Sequence, residues 1–151
     1  MTKETLRQFD QDSLGRRLST LSRLNMLHLG GRLAELEISP AKLPFLMKIL
    51  ASEGIVQEEL TNHLRIDRAA TARALQHLER QGLVRREDDP SDGRKKRVYP
   101  TAKAQRLQPR IIDILANHNA ILLAGFDTGE REQFTLLLDK ALSNIEQTLA
   151  G

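Results

Sequence analysis

The sequence contains no cysteine and no tryptophan. Without a thiol there is no disulfide scaffold, no thiolate zinc site, and no nucleophile or redox sensor built on sulfur. Aromatic side chains are scarce as well: Phe9, Phe45, Phe126, Phe134 and Tyr99 make up 3% of the chain. Modules that read unpaired strands stack bases on exposed rings. Only Tyr99 lies in the basic part of this chain, so a single strand suits it less well than duplex DNA. No apolar run approaches the ~20 residues that a membrane span requires. The best stretch, residues 43–50, carries Lys48. The opening residues 1–7 alternate charge and polarity and lack the apolar core of a signal peptide. A soluble cytoplasmic protein without a membrane partner is expected.

Catalytic and metal-binding patterns are also missing. There is no phosphate-binding P-loop, no dinucleotide GxGxxG and no G-x-S-x-G elbow. Glu58 and Glu59 are adjacent, so on a helix they point in different directions and cannot share one substrate atom. The histidines His28, His63, His77 and His118 show no i, i+4 pairing and no carboxylate arrangement typical of a metal site. No enzyme activity, metal or cofactor is expected.

What is present is a chain of 151 residues with 40% hydrophobic and 28% charged content, ordinary for one globular domain. A chain of this length buries roughly 70% of its unfolded surface and needs no metal or disulfide to fold. The net charge of +3 conceals an uneven distribution. Residues 61–110 hold 13 Lys/Arg against 6 Asp/Glu, an excess of seven, while the rest holds 10 against 14. A basic middle between mildly acidic flanks implies one polyanion-binding face. Charge alone does not separate that from arginines that merely solvate exposed helices.

Pattern supplies the distinction. Leu14, Leu18, Leu21, Leu24 and Leu27 recur at helical spacing, predicting one apolar helix face, with an interruption at Gly30-Gly31 and resumption at Leu33 and Leu36. Ser39 is expected to cap a second helix that starts at Pro40, turns Leu43, Leu46, Met47 and Leu50 inward, and stops near Glu53-Gly54. Residues 57–64 then read as two helical turns. Asp67 caps a following helix whose inward residues are Ala70, Ala74, Leu75 and Leu78, closed by Gly82. Residues 83–86 and 97–100 read as paired strands around the turn cluster Asp89-Pro90-Ser91-Asp92-Gly93. Thr101 caps a further helix, with a kink or break expected at Pro109. Phe134, Leu138, Ala141, Leu142, Ile145 and Leu149 approach a heptad in the last helix.

The spacing of residues 56–82 has helix-turn-helix geometry, in which the second helix presents side chains to major-groove base edges. Arg68, Thr71, Arg73, Gln76 and His77 are the candidates on that helix. Arg73 could hold guanine O6 and N7 bidentately, or bind a phosphate. An amphipathic helical hairpin with exposed arginines has the same spacing. The next segment favours DNA: Arg94, Lys95, Lys96 and Arg97 follow a turn, and four consecutive cations gain nothing on a free surface. Beside a phosphate backbone each displaces a counterion, and an arginine at a hairpin tip can enter a narrow minor groove. Asp89 and Asp92 are expected to position neighbouring arginines such as Arg86 and Arg94 through charge-assisted hydrogen bonds.

Taken together, residues 43–107 resemble the multiple-antibiotic-resistance regulators, the MarR/SlyA type. The resemblance runs through Gln57-Glu58-Glu59-Leu60-Thr61-Asn62-His63-Leu64, the stretch from Leu75 to Arg86, and Asp89-Pro90-Ser91-Asp92-Gly93-Arg94-Lys95-Lys96. The last string is similar to that family's wing signature, D-x-x-D-x-R followed by basic residues. The resemblance implies a mainly α fold with a small β-hairpin wing, a winged helix-turn-helix flanked by N- and C-terminal dimerisation helices. On that plan residues 1–38 form the N-terminal dimerisation helix, 39–105 the DNA-binding domain and 106–151 the C-terminal dimerisation helices of one compact domain. It further implies a homodimer on a palindromic operator in double-stranded DNA, repressing genes until a small-molecule effector binds. Arg73 takes the recognition-helix arginine position and Arg94 the wing tip.

Departures from the family pattern are Ala69 and Ala70, where Ser or Thr is common, and Val56, where a capping hydroxyl is usual. Peroxide sensing through an N-terminal cysteine is impossible here. An effector pocket is expected where the first and fifth helices meet the winged helix, around Met26, His28 and Met47, although methionines also serve as gap fillers. Two other readings share the same features: a winged-helix module whose basic face binds an acidic protein, and a non-specific architectural DNA-binding protein.

Overall fold

The structure, a computed structural model, describes all residues 1–151. Its elements run α1 (Lys3–Asp12), α2 (Leu14–Leu33), a 3-10 turn (Ala34–Leu36), α3 (Leu43–Ala51), β1 (Ile55–Val56), α4 (Gln57–Leu64), α5 (Arg68–Arg80), β2 (Val84–Asp88), β3 (Lys96–Pro100), α6 (Ala102–Leu122) and α7 (Thr128–Ala150). The mainly helical class with one hairpin is as expected. Two compact units result, residues 1–115 and 116–151.

Helix caps explain most boundaries of the first unit. Thr2 accepts the Thr5 amide at the start of α1, and Ser13 accepts the Arg16 amide at the start of α2. α1 is an element beyond those expected, and its Leu6 and Phe9 stay exposed. Two expectations need correcting here. Gly30-Gly31 does not interrupt α2, which continues to Leu33, and Gly30 lies against the Pro40 ring. Ser39 does not cap a helix at Pro40: residues 40–42 form a turn in which the Ser39 carbonyl accepts the Lys42 and Leu43 amides. α3 begins at Leu43, with Pro44 in its first turn, where a missing N–H costs no hydrogen bond.

The core gathers Leu33, Leu36, Leu46, Ile49, Leu60, Leu75, Leu78, Leu83, Val98 and Ile111, all buried. Met47 and Leu50 pack against it half-buried. The apolar face of α2 stays outside this core: Leu14, Leu18, Leu21, Leu24 and Leu27 are exposed in the single chain. Only Leu29 and Leu33, near its end, are buried.

A three-stranded antiparallel sheet of order β1-β3-β2 flanks the helices. β3 is central, pairing Ile55 with Val98 on one side and Arg86 with Val98 on the other. β1 adds a third strand to the expected hairpin. Gly54, before β1, has φ +82° and donates its amide to the Val98 carbonyl. A Cβ there would lie 3.1 Å from the Tyr99 ring, so both backbone and space require glycine.

Thr101 caps α6 by accepting the Ala104 amide. α6 passes through Pro109 as one continuous helix, without the expected break. In the second unit, Asp127 and Glu130 form a reciprocal capping box that starts α7. Phe126 and Phe134 meet edge to face with ring centroids 5.6 Å apart. The apolar series of α7 is exposed at Leu138, Leu142, Ile145 and Leu149.

A candidate nucleic-acid interface

Helices α4 and α5 are joined by a tight turn at residues 65–67, with Arg65 in the left-handed region at φ 56°. Ile66 donates its amide to the Thr61 carbonyl, and the Asp67 carboxylate accepts the Ala70 amide at 2.7 Å. These bonds fix the angle at which α5 leaves the turn. α5 then divides cleanly: Ala74, Leu75 and Leu78 are buried, while Arg73 and Gln76 are exposed and His77 is half-exposed. Thr71 sits on the buried side, fully inaccessible, and its hydroxyl donates to the Asp67 carbonyl at 3.0 Å. Expected to face DNA, Thr71 is instead a packing residue. Its place in the first turn, three residues before Ala74, puts it on the apolar stripe.

Asp89 organises the wing. It is buried, and its Oδ1 accepts the Ser91 amide (2.8 Å) and hydroxyl (2.6 Å), and the Asp92 amide (3.3 Å). Its Oδ2 accepts Nε of Arg97 at 2.8 Å. The Ser91 hydrogen bonds, followed by the Arg97 charge, hold the Asp89 carboxyl down at about 2, against burial that pushes it up. Arg97 also donates Nη1 to the Gly54 carbonyl at 2.8 Å. Of the four consecutive cations, Arg97 is thus the one tied into the hairpin and to the approach of β1, with its side chain 39% exposed. Asp92 accepts the Arg94 backbone amide and Nε at 3.1 and 3.2 Å, as expected of a positioning carboxylate. The Arg94 side chain remains 93% exposed.

Arg86 has a different partner from the one expected. Its Nε donates to Glu79 of α5 at 3.1 Å, tying α5 to β2, and this bond lowers the Glu79 carboxyl below its ordinary range. Lys96 pairs with Asp88, its partner across the hairpin register. Arg85 pairs with Glu87 and lies over the Tyr99 ring at 4.4 Å. Arg68 pairs with Glu58 at 3.1 Å. Glu58, Glu79 and Tyr99 join these residues without a motif in the sequence that marks them, and Gly54 is more than a helix stop. Register pairing across the hairpin was the only available signal, and it reaches just Asp88 and Tyr99.

One cleft unites these parts. It is lined by Val56, Gln57, Glu58 and Thr61 from β1 and α4, Arg68 from α5, and Arg94, Lys95 and Lys96 from the wing. A second groove lies between α5 and the start of α3, bordered by Lys42, Phe45, Arg73, His77 and Arg80. The effector residues are less coherent. Met26 is exposed, His28 half-buried, and Met47 packs against the core.

A MarR transcriptional regulator from Methanosarcina mazei Go1 superposes on this fold with a TM-score of 0.81. It shares 33% identity, with 89% of this chain and 97% of that one covered. The chain belongs to the MarR family. The MarR family profile itself matches residues 36–95, from the end of the 3-10 turn to the wing tip. A MarR-family protein of Listeria monocytogenes, solved in complex with 26mer DNA, is 30% identical, with 91% of each chain covered and a TM-score of 0.84. The HTH-type transcriptional regulator YybA of Bacillus subtilis is 29% identical over 113 residues, 75% of each sequence. In this MarR-family regulator Val56 stands at the start of α4 and supplies no side-chain cap. No helix of the chain is long and apolar enough to cross a membrane.

Proposed function

We propose that this MarR-family chain is a sequence-specific regulator that binds double-stranded DNA as a homodimer. The observation that carries the reading is the single cleft in which Arg68 of α5 and Arg94, Lys95 and Lys96 of the wing converge. A duplex laid along that cleft sets α5 in a major groove, with Arg73, Gln76 and His77 toward base edges, and the Arg94 tip toward the next minor groove. Arg68, Lys95 and Lys96 then serve the phosphates, Arg86 steadies α5 through Glu79, and Asp89 and Asp92 shape the wing. The Listeria relative solved with DNA supports this reading by likeness of fold and sequence.

Two copies are required because a palindrome offers two half-sites about 34 Å apart. The helical segments 1–38 and 106–151 supply the contact, with the exposed leucines of α2 and α7 as the apolar surface a second copy covers. In this reading the cytoplasmic dimer represses its target genes, and a small effector received near Met26, His28 and Met47 releases it by favouring a dimer whose recognition helices no longer match successive grooves.

Binding to a palindromic fragment and to a scrambled one, each titrated with salt, tests the proposal. Sequence preference together with a steep salt slope is the expected result. A slope without preference leaves an architectural DNA-binding protein, and no DNA binding leaves a module for an acidic protein partner.

A further inference from the structure

The cleft between α4 and the wing contains one carboxylate among four cations: Glu58 faces Arg68, Arg94, Lys95 and Lys96. Of these cations Arg68 is the one Glu58 engages, Oε1 to Nη2 at 3.1 Å. Arg68 is the first residue of α5 and its side chain is 84% exposed, so nothing but Glu58 restrains it. The other wing carboxylates have structural duties: Asp89 and Asp92 bind backbone amides of the turn, and Asp88 pairs across the strand register. Glu58 accepts no backbone amide from the wing and supports no turn there. Its one partner is a cation that the proposed duplex would use.

We infer that Glu58 is an intramolecular competitor for phosphate, holding Arg68 in the free protein and setting how tightly this chain grips DNA irrespective of sequence. The inference rests on the duplex-binding reading above and deepens it. A phosphate that takes Arg68 must displace Glu58, and the displaced carboxylate then lies beside the phosphate backbone, where like charges repel. Because the displaced Glu58 stays beside the phosphates as an added negative charge, the interface neutralises in effect about one phosphate fewer than its cations alone would. The protein thereby lowers its affinity for bulk DNA without spending any base-reading residue, and discrimination is left to the outer face of α5. Exposed ion pairs are individually weak, so the restraint is shallow: a factor of roughly two to five in affinity.

Glu58 also lies in the first turn of α4, where a negative charge favours the helix dipole. The test must separate that local role from competition. Glu59 is the control, since it occupies the same first turn but lines a different groove, with Lys48 and His63. Full-length protein, Glu58→Gln and Glu59→Gln are titrated with sheared mixed-sequence duplex DNA across a salt series, with thermal melting measured alongside. The expected result is that Glu58→Gln binds roughly two- to fivefold tighter at about 50 mM salt, with a log–log salt slope steeper by about 0.9. Glu59→Gln is expected to lose similar thermal stability but to keep the slope of the unmodified protein. Equal slopes for all three proteins, or an equal steepening for both variants, would overturn the inference while leaving the DNA-binding reading intact. Absence of duplex binding by the unmodified protein would overturn the parent reading, and this inference with it.

Discussion

Arg97 and Asp89 meet inside the wing, Nε to Oδ2 at 2.8 Å, and the same guanidinium reaches back 2.8 Å to the Gly54 carbonyl ahead of β1. One side chain thus joins the hairpin turn to the segment that leads into β1. The hydrogen bonds from Ser91, and then the Arg97 charge, keep the Asp89 carboxyl at about 2, below the ordinary 3.8. A depressed carboxyl stabilises the fold fully above pH 3.8, and the contribution disappears as pH falls through about 2. A carboxyl carbon NMR titration is expected to place the Asp89 midpoint near that lower value, and Asp89→Asn to remove the corresponding pH dependence of stability. Arg97→Met is expected to speed amide exchange in residues 91–95 about tenfold while far-UV circular dichroism stays unchanged. A midpoint near 4 in the folded protein would refute the arrangement.

Gly54→Ala tests the same junction from the other side. A Cβ at this left-handed position lies 3.1 Å from the Tyr99 ring and 3.2 Å from its hydroxyl. The backbone conformation alone costs about 1–2 kcal/mol for a non-glycine residue, and displacement of the Tyr99 ring, on which Arg85 rests, adds to it. Urea unfolding is expected to show a loss of at least that size.

Arg73 and Lys95 have no intramolecular ion pair and are expected to act differently on DNA. Arg73→Ala should lower affinity for the cognate site chiefly, by about 1–3 kcal/mol if it holds a guanine. Lys95→Ala should weaken binding to every duplex and reduce the salt slope by about 0.9. Titrations with operator and scrambled DNA read both numbers, and identical effects of the two substitutions would reverse the assignment of base reading and phosphate contact.

Thr71 makes the converse case. Its hydroxyl donates to the Asp67 carbonyl inside the first turn of α5. Thr71→Val is expected to cost about 1 kcal/mol of folding stability, while the ratio of operator to scrambled affinity holds constant. A changed ratio at unchanged stability would return Thr71 to the DNA-facing set.

The exposed leucines predict assembly. The unmodified chain is expected to sediment at about twice its 17.1 kDa mass, and Leu24→Asp or Leu142→Asp to shift it toward a single chain, since each residue is about half exposed here. Sedimentation equilibrium at micromolar concentration measures it, and a 17.1 kDa species for the unmodified protein would remove the two-half-site mechanism.

Local chemistry explains which parts were legible in the sequence. The helix-turn-helix was readable because its determinants are short-range: the Leu60/Leu64 spacing, the Asp67 cap, and Gly82 at φ +72°. β1 was not, since two residues, Ile55 and Val56, are too few to show a period. The run of four cations disclosed total charge but not its division, which depends on long-range partners: Arg97 is held by Asp89 and by the Gly54 carbonyl, contacts that span 8 and 43 residues of sequence. Thr71 was misread because a small polar residue on an apolar stripe looks exposed until its hydroxyl finds a backbone carbonyl. The apolar face of α2 was recognised correctly as a stripe, but periodicity does not say whether a core or a second molecule covers it.

The tether from Arg97 to Gly54 bears on regulation. β1 runs directly into α4, and its neighbour β3 forms one side of the wing, so hairpin and helix pair share a stiff scaffold. Bending the hairpin alone would break the guanidinium bridge and the β1–β3 pairing together. In the proposed dimer, a signal would then act as on a caliper with unbending jaws: it would set the gap between two such heads and leave the shape of each unchanged.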